Sequence, residues 1–235
     1  MKKVFFFCMA LVSLMLGFTA CSEDDDSPEG VVLDLIEPIE AVDLGLTSGT
    51  LWGSKNVGAS SPEDYGMYFA WGDTIGQVYG AEYTRNFGWP TYDGVLMTKY
   101  DTPYVSLLAE DDVATKKLGS HWRMPTDAEW TELRENCEWE WTTAYGANSV
   151  HGYIVYKKKA NGEYTTADTH IFLPAAGYYN AAKRQAGGLY GHYWSSNIKD
   201  NDIEKAWRVL INSSKVERSG QYRYCGLSVR PIYVP

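Results

Sequence analysis

Glycine recurs every few residues from Asp43 onward and separates short apolar or aromatic segments. The whole chain contains 22 glycines among 235 residues. Because glycine suits tight turns and weakens helix interiors, this spacing favours short strands joined by turns. The segments that predict strands are 51–52, 67–71, 152–156, 170–173, 206–211 and 227–233. Residues 157–162 end in Asn161-Gly162 and predict a hairpin turn.

Two segments carry helix signals. Residues 110–119 open with acids and close with lysines and a glycine, which suits the helix dipole and a glycine C-cap. Thr126 and Glu129 have the spacing of a capping box, in which each residue satisfies a backbone amide of the other. The apolar positions that follow predict one buried helix face: Trp130, Leu133 and Cys137. Two helices among short strands and long irregular loops predict an α+β fold class.

The N-terminal residues predict an exported bacterial lipoprotein. Lys2 and Lys3 precede an apolar run at 4–18, which is short for a comfortable membrane span. Small residues then precede Cys21, as the lipoprotein peptidase requires. We therefore expect residues 1–20 to be a cleaved signal peptide and Cys21 to carry the lipid anchor.

An acidic segment follows the predicted anchor. Residues 22–30 are polar and self-repelling, so they cannot bury apolar area. Their acids resemble the export signal of Bacteroidetes-type surface lipoproteins, although a simple spacer would have a similar composition. We expect 21–41 to be a tether and linker and 42–235 to be the folded domain. The expected location is the outer membrane, lipid-anchored and exposed at the cell surface.

Composition narrows the classes of partner. Removing residues 1–20 takes away two lysines and no acid, which changes the formal net charge from −9 to −11. Such an acidic chain is a poor partner for nucleic acid, which requires clustered Lys and Arg. The 9 Trp, 18 Tyr and 7 Phe favour either a binding surface or a β-rich core. Cys137 and Cys225 could form one disulfide, which the sequence leaves open.

Residues for catalysis or metal binding are not arranged in any known motif. The four histidines lack helical metal-ligand spacing, and no Cys-x-x-Cys or Gly-x-Ser-x-Gly occurs. The calcium motifs of sugar-binding lectins are missing too. Residues 200–202 form a polar segment that could hold an ion, but an ordinary turn has the same composition. We therefore expect no enzyme activity, no metal and no cofactor.

A set of motifs resembles the Fibrobacter succinogenes major paralogous domain across about 42–235. The matching segments are 42–52, 56–60, 68–73, 111–114, 122–130, 172–178, 193–196 and 226–231. That family is similar to C-type lectin-like folds and to the formylglycine-generating-enzyme group, whose Arg-Leu-Pro-Thr-x-x-Glu-Trp element resembles residues 123–130. The resemblance implies a C-type lectin-like α+β domain on a bacterial surface, with short twisted antiparallel strands. It implies no particular ligand.

Several motif residues are interpreted as structural. Arg123 and Arg230 lie among apolar residues, so their burial would require carboxylate partners. The candidate partners are Asp111, Asp112, Asp127 and Glu129. Thr126 and Glu129 are also interpreted as structural, because they form the predicted capping box. The tryptophans are expected in the core: Trp52, Trp71, Trp122, Trp130 and Trp194.

The segment 177–192 is the predicted binding region, because glycines flank aromatic side chains and hydrogen-bond donors there. The predicted ligand contacts are Tyr178, Tyr179, Arg184, Tyr190 and His192. A long connection packed on a sheet would have the same composition. The preferred hypothesis is a noncatalytic surface protein that binds a glycan or protein ligand. The alternatives are a structural or adhesive subunit and a diversified lectin-like receptor.

Cys21→Ala tests the predicted anchor. The variant has no thiol to acylate, so we expect loss of palmitate incorporation and release from the membrane fraction, or retention of the signal peptide. Metabolic palmitate labelling and membrane fractionation measure both effects. An unchanged palmitate signal in the membrane fraction would contradict the prediction.

Overall fold

Short apolar segments form the strands of this protein, and most of them pair antiparallel. The computed structural model describes residues 38–78, 99–100 and 106–235, all within one compact unit, Leu35–Pro235. Among the described residues, 43% lie in strands and 10% in helices. The predicted α+β, C-type lectin-like fold class is therefore wrong, because the described chain is mostly β-sheet with two short helices. Both helices have strong local signals but span only 6 and 10 residues.

The four sheets of the described residues are built from fifteen strands. They are β1 (Ala41–Val42), β2 (Leu51–Gly53), β3 (Met67–Phe69), β4 (Gln77–Val78), β5 (Trp122–Arg123), β6 (Cys137–Tyr145), β7 (Val150–Lys157), β8 (His170–Pro174), β9 (Tyr178–Asn180), β10 (Lys183–Gln185), β11 (Gly191–Lys199), β12 (Asp202–Asn212), β13 (Lys215–Tyr222), β14 (Leu227–Ser228) and β15 (Ile232–Tyr233). The helices are α1 (Val113–Leu118) and α2 (Asp127–Asn136).

The sheets differ in size and in how far apart their strands lie in sequence. The largest has the order β13-β12-β11-β14-β3-β4, and a second has the order β1-β2-β15-β5. A three-stranded sheet, β6-β7-β8, is built from consecutive strands, and β9 and β10 form a small hairpin. The last two strands, β14 and β15, occupy internal positions in the two largest sheets. These two sheets therefore depend on pairing between distant parts of the chain.

Two large apolar clusters form most of the core, and tryptophan contributes to both. Trp71 and Trp194 belong to one cluster, and Trp52 and Trp130 to the other. These four side chains are almost fully buried, as predicted, whereas Trp122 is half-buried. The indole N–H groups of Trp71, Trp130 and Trp194 each donate to a backbone carbonyl, which removes the cost of burying them.

The predicted cap of α2 is confirmed. The Thr126 hydroxyl accepts from the Glu129 amide at 3.2 Å, and the Glu129 carboxylate accepts from the Thr126 amide at 2.8 Å. Arg123 donates to both oxygens of the same carboxylate, at 2.9 and 2.6 Å. Burial alone would raise the pKa of the Glu129 carboxyl, but the bonds from Arg123 and Thr126 hold this pKa below its usual value. Arg123 thus has the carboxylate partner that its burial was expected to require, and that partner is Glu129.

The start of α1 and the end of α2 differ from prediction. Helix α1 begins after Asp112, whose side chain accepts from the Ala114 and Thr115 amides, so the helix is shorter than 110–119. Cys137 ends α2 and begins β6 instead of lying on the helix face. Residues 137–142 alternate between polar and apolar side chains, which is the period of a strand. The predicted turn at 157–162 is part of a longer connection, 158–169.

The possible disulfide does not form. Cys137 and Cys225 are both free and buried, and they belong to different apolar clusters. Burial raises the pKa of each thiol to about 12. Both side chains therefore act as small apolar residues of the core.

Arg230 is fully buried, but its partners are not the carboxylates that the sequence predicted. It donates to the carbonyl oxygens of Gly53 at 2.9 Å and Phe172 at 2.6 Å. Among the described residues, no carboxylate forms an ion pair with it. Burial lowers the pKa of Arg230 to about 10, so the side chain keeps its charge at neutral pH. Carbonyl dipoles from β2 and β8 replace the expected counter-ion.

Within the described part of the chain, neither helix has the length and apolar character needed to cross a bilayer.

Arg230→Met should lower the free energy of unfolding by about 3 kcal/mol or more, because two buried carbonyl groups lose their donor. Urea denaturation of the variant and the parent measures the difference. Arg134→Met on α2 is the matched control, since the Arg134 side chain forms no hydrogen bond or ion pair with another described residue. Its effect should stay within about 0.5 kcal/mol. Equal losses in both variants would show that Arg230 is not a structural link.

Candidate functional site

The two faces of the β6-β7-β8 sheet carry different apolar clusters. Alternate side chains of a strand point to opposite faces. Tyr153 and Val155 pack into the large cluster around Trp52 and Trp130. Ile154 and Tyr156 pack instead with Phe172 on the other face. This second face has its own cluster of aromatic side chains outside the main core.

A pocket of about 660 Å³ lies on this second face. We call it the sheet pocket, and its lining residues are Glu63, Glu140, Thr142, Ala144, Tyr145, Gly146, Ile154, Tyr156, Tyr164, Thr165, Thr166 and His170. They come from β6, β7, β8, the 158–169 connection and the segment before β3. Its volume lies within the range of small-molecule sites, roughly 300 to 1,000 Å³.

Tyr145 is fixed against the base of the sheet pocket. Its ring stacks on Phe172 with a centroid distance of 3.8 Å and an interplanar angle of 3°. Its hydroxyl lies 3.0 Å from Nε2 of His170. Nδ1 of His170 donates to the carbonyl of Asp168 at 2.7 Å, because a carbonyl can only accept. In the neutral ring Nε2 is then the acceptor for the Tyr145 hydroxyl, so both side chains are held in place.

Tyr164 forms another wall of the sheet pocket and is held by its own connection. Its ring stacks on Tyr156 at a centroid distance of 5.0 Å, and its hydroxyl accepts from the Lys159 amide at 3.0 Å. The Asp168 carboxylate pairs with the Lys159 ammonium at 2.9 Å and accepts from the Thr165 amide at 2.8 Å. These bonds give the 158–169 connection an ordered shape and position the Tyr164 ring without help from a ligand.

Two carboxylates set the charge of the sheet pocket. Glu63 lies directly over Gly146, where an added Cβ would come within 2.8 Å of its Oε1 atom. Burial raises the pKa of Tyr145, and the nearby Glu63 raises it further. Burial and then Glu140 raise the pKa of Tyr156 in the same way. Both tyrosines therefore have a pKa above the usual value, although Arg230 lowers that of Tyr145, and the ionisable acids that line the sheet pocket are Glu63 and Glu140.

Arg184, a predicted ligand contact, points into the protein. Its Nε atom donates to the Tyr68 hydroxyl at 3.0 Å and to the Ala176 carbonyl at 2.9 Å. Its guanidinium lies 4.6 Å from the ring centroid of Tyr65. An added Cβ on Gly187 would approach that guanidinium to 2.3 Å, so glycine leaves room for it. Arg184 thus fastens the β9-β10 hairpin to the segment around β3.

His192 is also turned inward. It is 4% exposed, accepts from Arg208 through Nδ1, and stacks on Tyr178 at a centroid distance of 4.5 Å. Burial and the adjacent Arg208 lower the pKa of His192 to about 2. A buried neutral histidine packed in this way is in no position to contact a ligand.

Of the other predicted ligand contacts, some pack against neighbouring side chains and one is exposed to solvent. Tyr179 packs edge-on against Tyr68 at a centroid distance of 4.9 Å, and its backbone bridges to Gly226. Tyr190 is 38% exposed, beside Leu189 at 64%. The predicted contacts are therefore not brought to one surface: Tyr190 is the most exposed of them, whereas Tyr178 and Tyr179 are half-buried.

In the polar segment 200–202, residues 200 and 201 form the turn between β11 and β12, and Asp202 begins β12. Asp202 pairs with Lys205 at 2.8 Å and lies 3.8 Å from Lys199, and Asn201 has a positive φ of 59°. Across the described ranges, no group of three or more His, Cys, Asp or Glu side chains could hold a metal ion. Cys21 and its predicted lipid lie outside the described residues.

Comparison with known proteins gives one partial match. The model of a domain of unknown function, DUF8237, matches residues 155–232, less than half of the chain. That range runs from the end of β7 into β15 and includes Tyr156, Tyr164 and His170 of the sheet pocket. No curated protein and no solved structure matches the chain. The resemblance to the Fibrobacter succinogenes major paralogous domain stays a prediction.

Sequence reasoning missed the residues of the sheet pocket. The overlooked pattern was the alternation of polar and apolar residues at 137–142. Because Cys137 was assigned to the helix, the strand that carries Glu140 was not predicted. The pattern at 152–156 predicted β7 but could not show that its two faces carry separate clusters. Glu63 comes from a distant segment, and nothing in the local sequence connects it to Tyr145.

His192→Gln should remove one source of pH-dependent stability. The pKa of His192 is about 2 in the folded protein and about 6.5 in the unfolded chain. Below pH 6.5 the unfolded chain therefore binds a proton that the folded protein does not. In the parent, this proton uptake should lower the free energy of unfolding by about 1.4 kcal/mol for each unit that the pH falls between about 6 and 4. His192→Gln should lack this contribution.

Urea denaturation of the variant and the parent across this pH range isolates the contribution of His192. The control His121→Gln changes an exposed histidine and should keep the slope of the parent. A His192→Gln variant with the same slope as the parent would mean that His192 takes up a proton in the folded state.

Proposed function

We propose that this protein is a noncatalytic lipoprotein of the cell surface that binds a glycan in the sheet pocket. The observation that carries the proposal is the pocket itself, in which tyrosine rings stand beside hydroxyl and carboxylate groups. The stacked pair of Tyr145 and Phe172 and the hydrogen-bonded Tyr164 hold the pocket in shape without a ligand. A pocket formed in advance loses little entropy on binding.

Glycans fit this combination of groups. A sugar ring has a face of C–H bonds that stacks on an aromatic ring, and a rim of hydroxyls that bond to polar side chains. Tyr164 supplies such a ring. Thr165, Thr166 and Glu140 supply donors and acceptors around it. A protein ligand usually buries a larger, flatter surface than this pocket offers.

The lack of catalysis is supported by how the polar groups are held. A general acid or base must reach a reacting group with a proton to give or accept. Both ring nitrogens of His170 already bond to Asp168 and Tyr145. Within the described chain, neither Glu63 nor Glu140 has a hydrogen bond to orient it. Nucleophile, base and orienting group are therefore not assembled as enzymes require.

The surface location rests on the N-terminal sequence alone. A lipid on Cys21 and the acidic tether at 22–30 would hold the domain away from an anionic membrane. Residues 21–235 have a formal net charge of −11, so the tether and domain together would be repelled from that membrane and the domain would remain accessible to soluble glycans.

Tyr164→Ala tests the sheet pocket against the predicted 177–192 region. Full-length protein purified in detergent is first screened on a glycan array, and the affinity of the strongest hit is measured by calorimetry. Tyr164→Ala should weaken that affinity at least about tenfold, because stacked aromatic side chains contribute strongly to binding. Tyr190→Ala is the control, since it removes an exposed tyrosine outside the pocket and should leave the affinity unchanged.

The opposite effect of the two substitutions would contradict the proposed location of the binding site. Loss of affinity in Tyr190→Ala with normal affinity in Tyr164→Ala would place the site on the 177–192 surface. Product formation from the bound glycan would contradict the noncatalytic part of the proposal. A melting curve for each variant separates loss of binding from loss of fold.

A further inference from the structure

The charged groups that line the sheet pocket are all of one sign. Glu63 and Glu140 belong to its lining, whereas no lysine or arginine does. Neither carboxylate forms an ion pair or hydrogen bond with another residue in the described ranges. Both are therefore available to a ligand, and each lies close enough to a tyrosine to affect its titration.

The nearest cations are already neutralised or enclosed. Lys159 pairs with Asp168, and its ammonium lies 5.6 Å from the ring centroid of Tyr164. Arg230 lies behind the base of the pocket, where it donates to the Phe172 carbonyl and is fully buried. Neither group lines the cavity, although the charge of Arg230 acts on Tyr145 from behind the pocket wall and lowers the pKa of Tyr145. A ligand in the sheet pocket therefore meets two uncompensated carboxylates.

We propose that the glycan bound in the sheet pocket carries a protonated amine, so that the preferred ligand is an amino sugar. This inference rests on the proposed function, because it specifies the ligand class of the same pocket. An ammonium group can ion-pair with Glu63 or Glu140. The same group is attracted to the faces of tyrosine rings, and Glu63 lies near Tyr145 and Glu140 near Tyr156 in the lining.

Selectivity follows from the same charges. A neutral sugar keeps the stacking and hydroxyl contacts, including a hydrogen bond to a carboxylate, but it forms no ion pair. A sugar acid brings a third negative charge into the pocket, and like charges held together oppose binding. The expected order of affinity is amino sugar, neutral sugar, sugar acid. Added salt should reduce the difference between the first two, since it screens the charges on a partly open surface.

Three tetrasaccharides of different charge test this order: tetraglucosamine, cellotetraose and tetragalacturonate. Calorimetry with the full-length protein in detergent gives each dissociation constant at low and high salt. We expect tetraglucosamine to bind at least about tenfold tighter than cellotetraose, with a smaller ratio at high salt. Glu63→Gln and Glu140→Gln should each weaken the binding of tetraglucosamine by a larger factor than the binding of cellotetraose, and so reduce this ratio several-fold.

Glu138→Gln is the matched control, because Glu138 is exposed on the same strand but does not line the pocket. It should keep the ratio of the parent. Equal reduction of the ratio in all three variants would show that only overall charge matters, and would overturn the inference. The salt dependence of the parent tests the inference independently if a variant fails to fold.

The two proposals fail in different ways. Equal or tighter binding of cellotetraose, still abolished by Tyr164→Ala, would overturn the amine preference and leave the glycan site in place. Absence of binding to all three sugars, together with no hit on the glycan array, would overturn both.

Discussion

The buried guanidinium of Arg230 connects three of the four sheets. The residue lies between β14 of the six-stranded sheet and β15 of the four-stranded sheet. Its donors reach the Gly53 carbonyl on β2 and the Phe172 carbonyl on β8. A buried cation without a carboxylate is costly, so these carbonyls and the surrounding packing must compensate for its lost hydration. The base of the sheet pocket depends on this link, because Phe172 carries the stacked ring of Tyr145.

Local signals in the sequence predicted local structure well. The cap formed by Thr126 and Glu129, and the pairing of Arg123 with Glu129, depend on residues within seven positions of one another. The partners of Arg230 lie 177 and 58 residues away, and no local pattern indicates which carbonyls they are. The fold class was mispredicted for a related reason. The strand signal at 137–142 directly follows a helix with a strong cap, and the predicted helix face included Cys137, the first residue of that strand.

The predicted binding region, 177–192, shows a second limit of prediction from amino-acid composition. Arg184 and His192 are residues that often contact ligands, and the glycines around them suggested an exposed loop. The same donors can satisfy internal acceptors, and the structure uses Arg184 and His192 in this way. Only tertiary contacts distinguish the two uses. The sheet pocket could not be predicted for the same reason, since Glu63 and Tyr164 are about a hundred residues apart in the sequence.

The internal positions of β14 and β15 determine the order in which the protein can fold. The N-terminal strands emerge first during synthesis and export, yet β3 pairs with β14, and β2 and β5 both pair with β15. Until residues 227–233 emerge, these earlier strands have unsatisfied edges, whereas the β6-β7-β8 sheet can already assemble from neighbouring segments. Long-range pairing of this kind slows folding. The nascent chain therefore presents a finished three-stranded sheet beside open β-edges, and these edges are the part that a chaperone would need to shield.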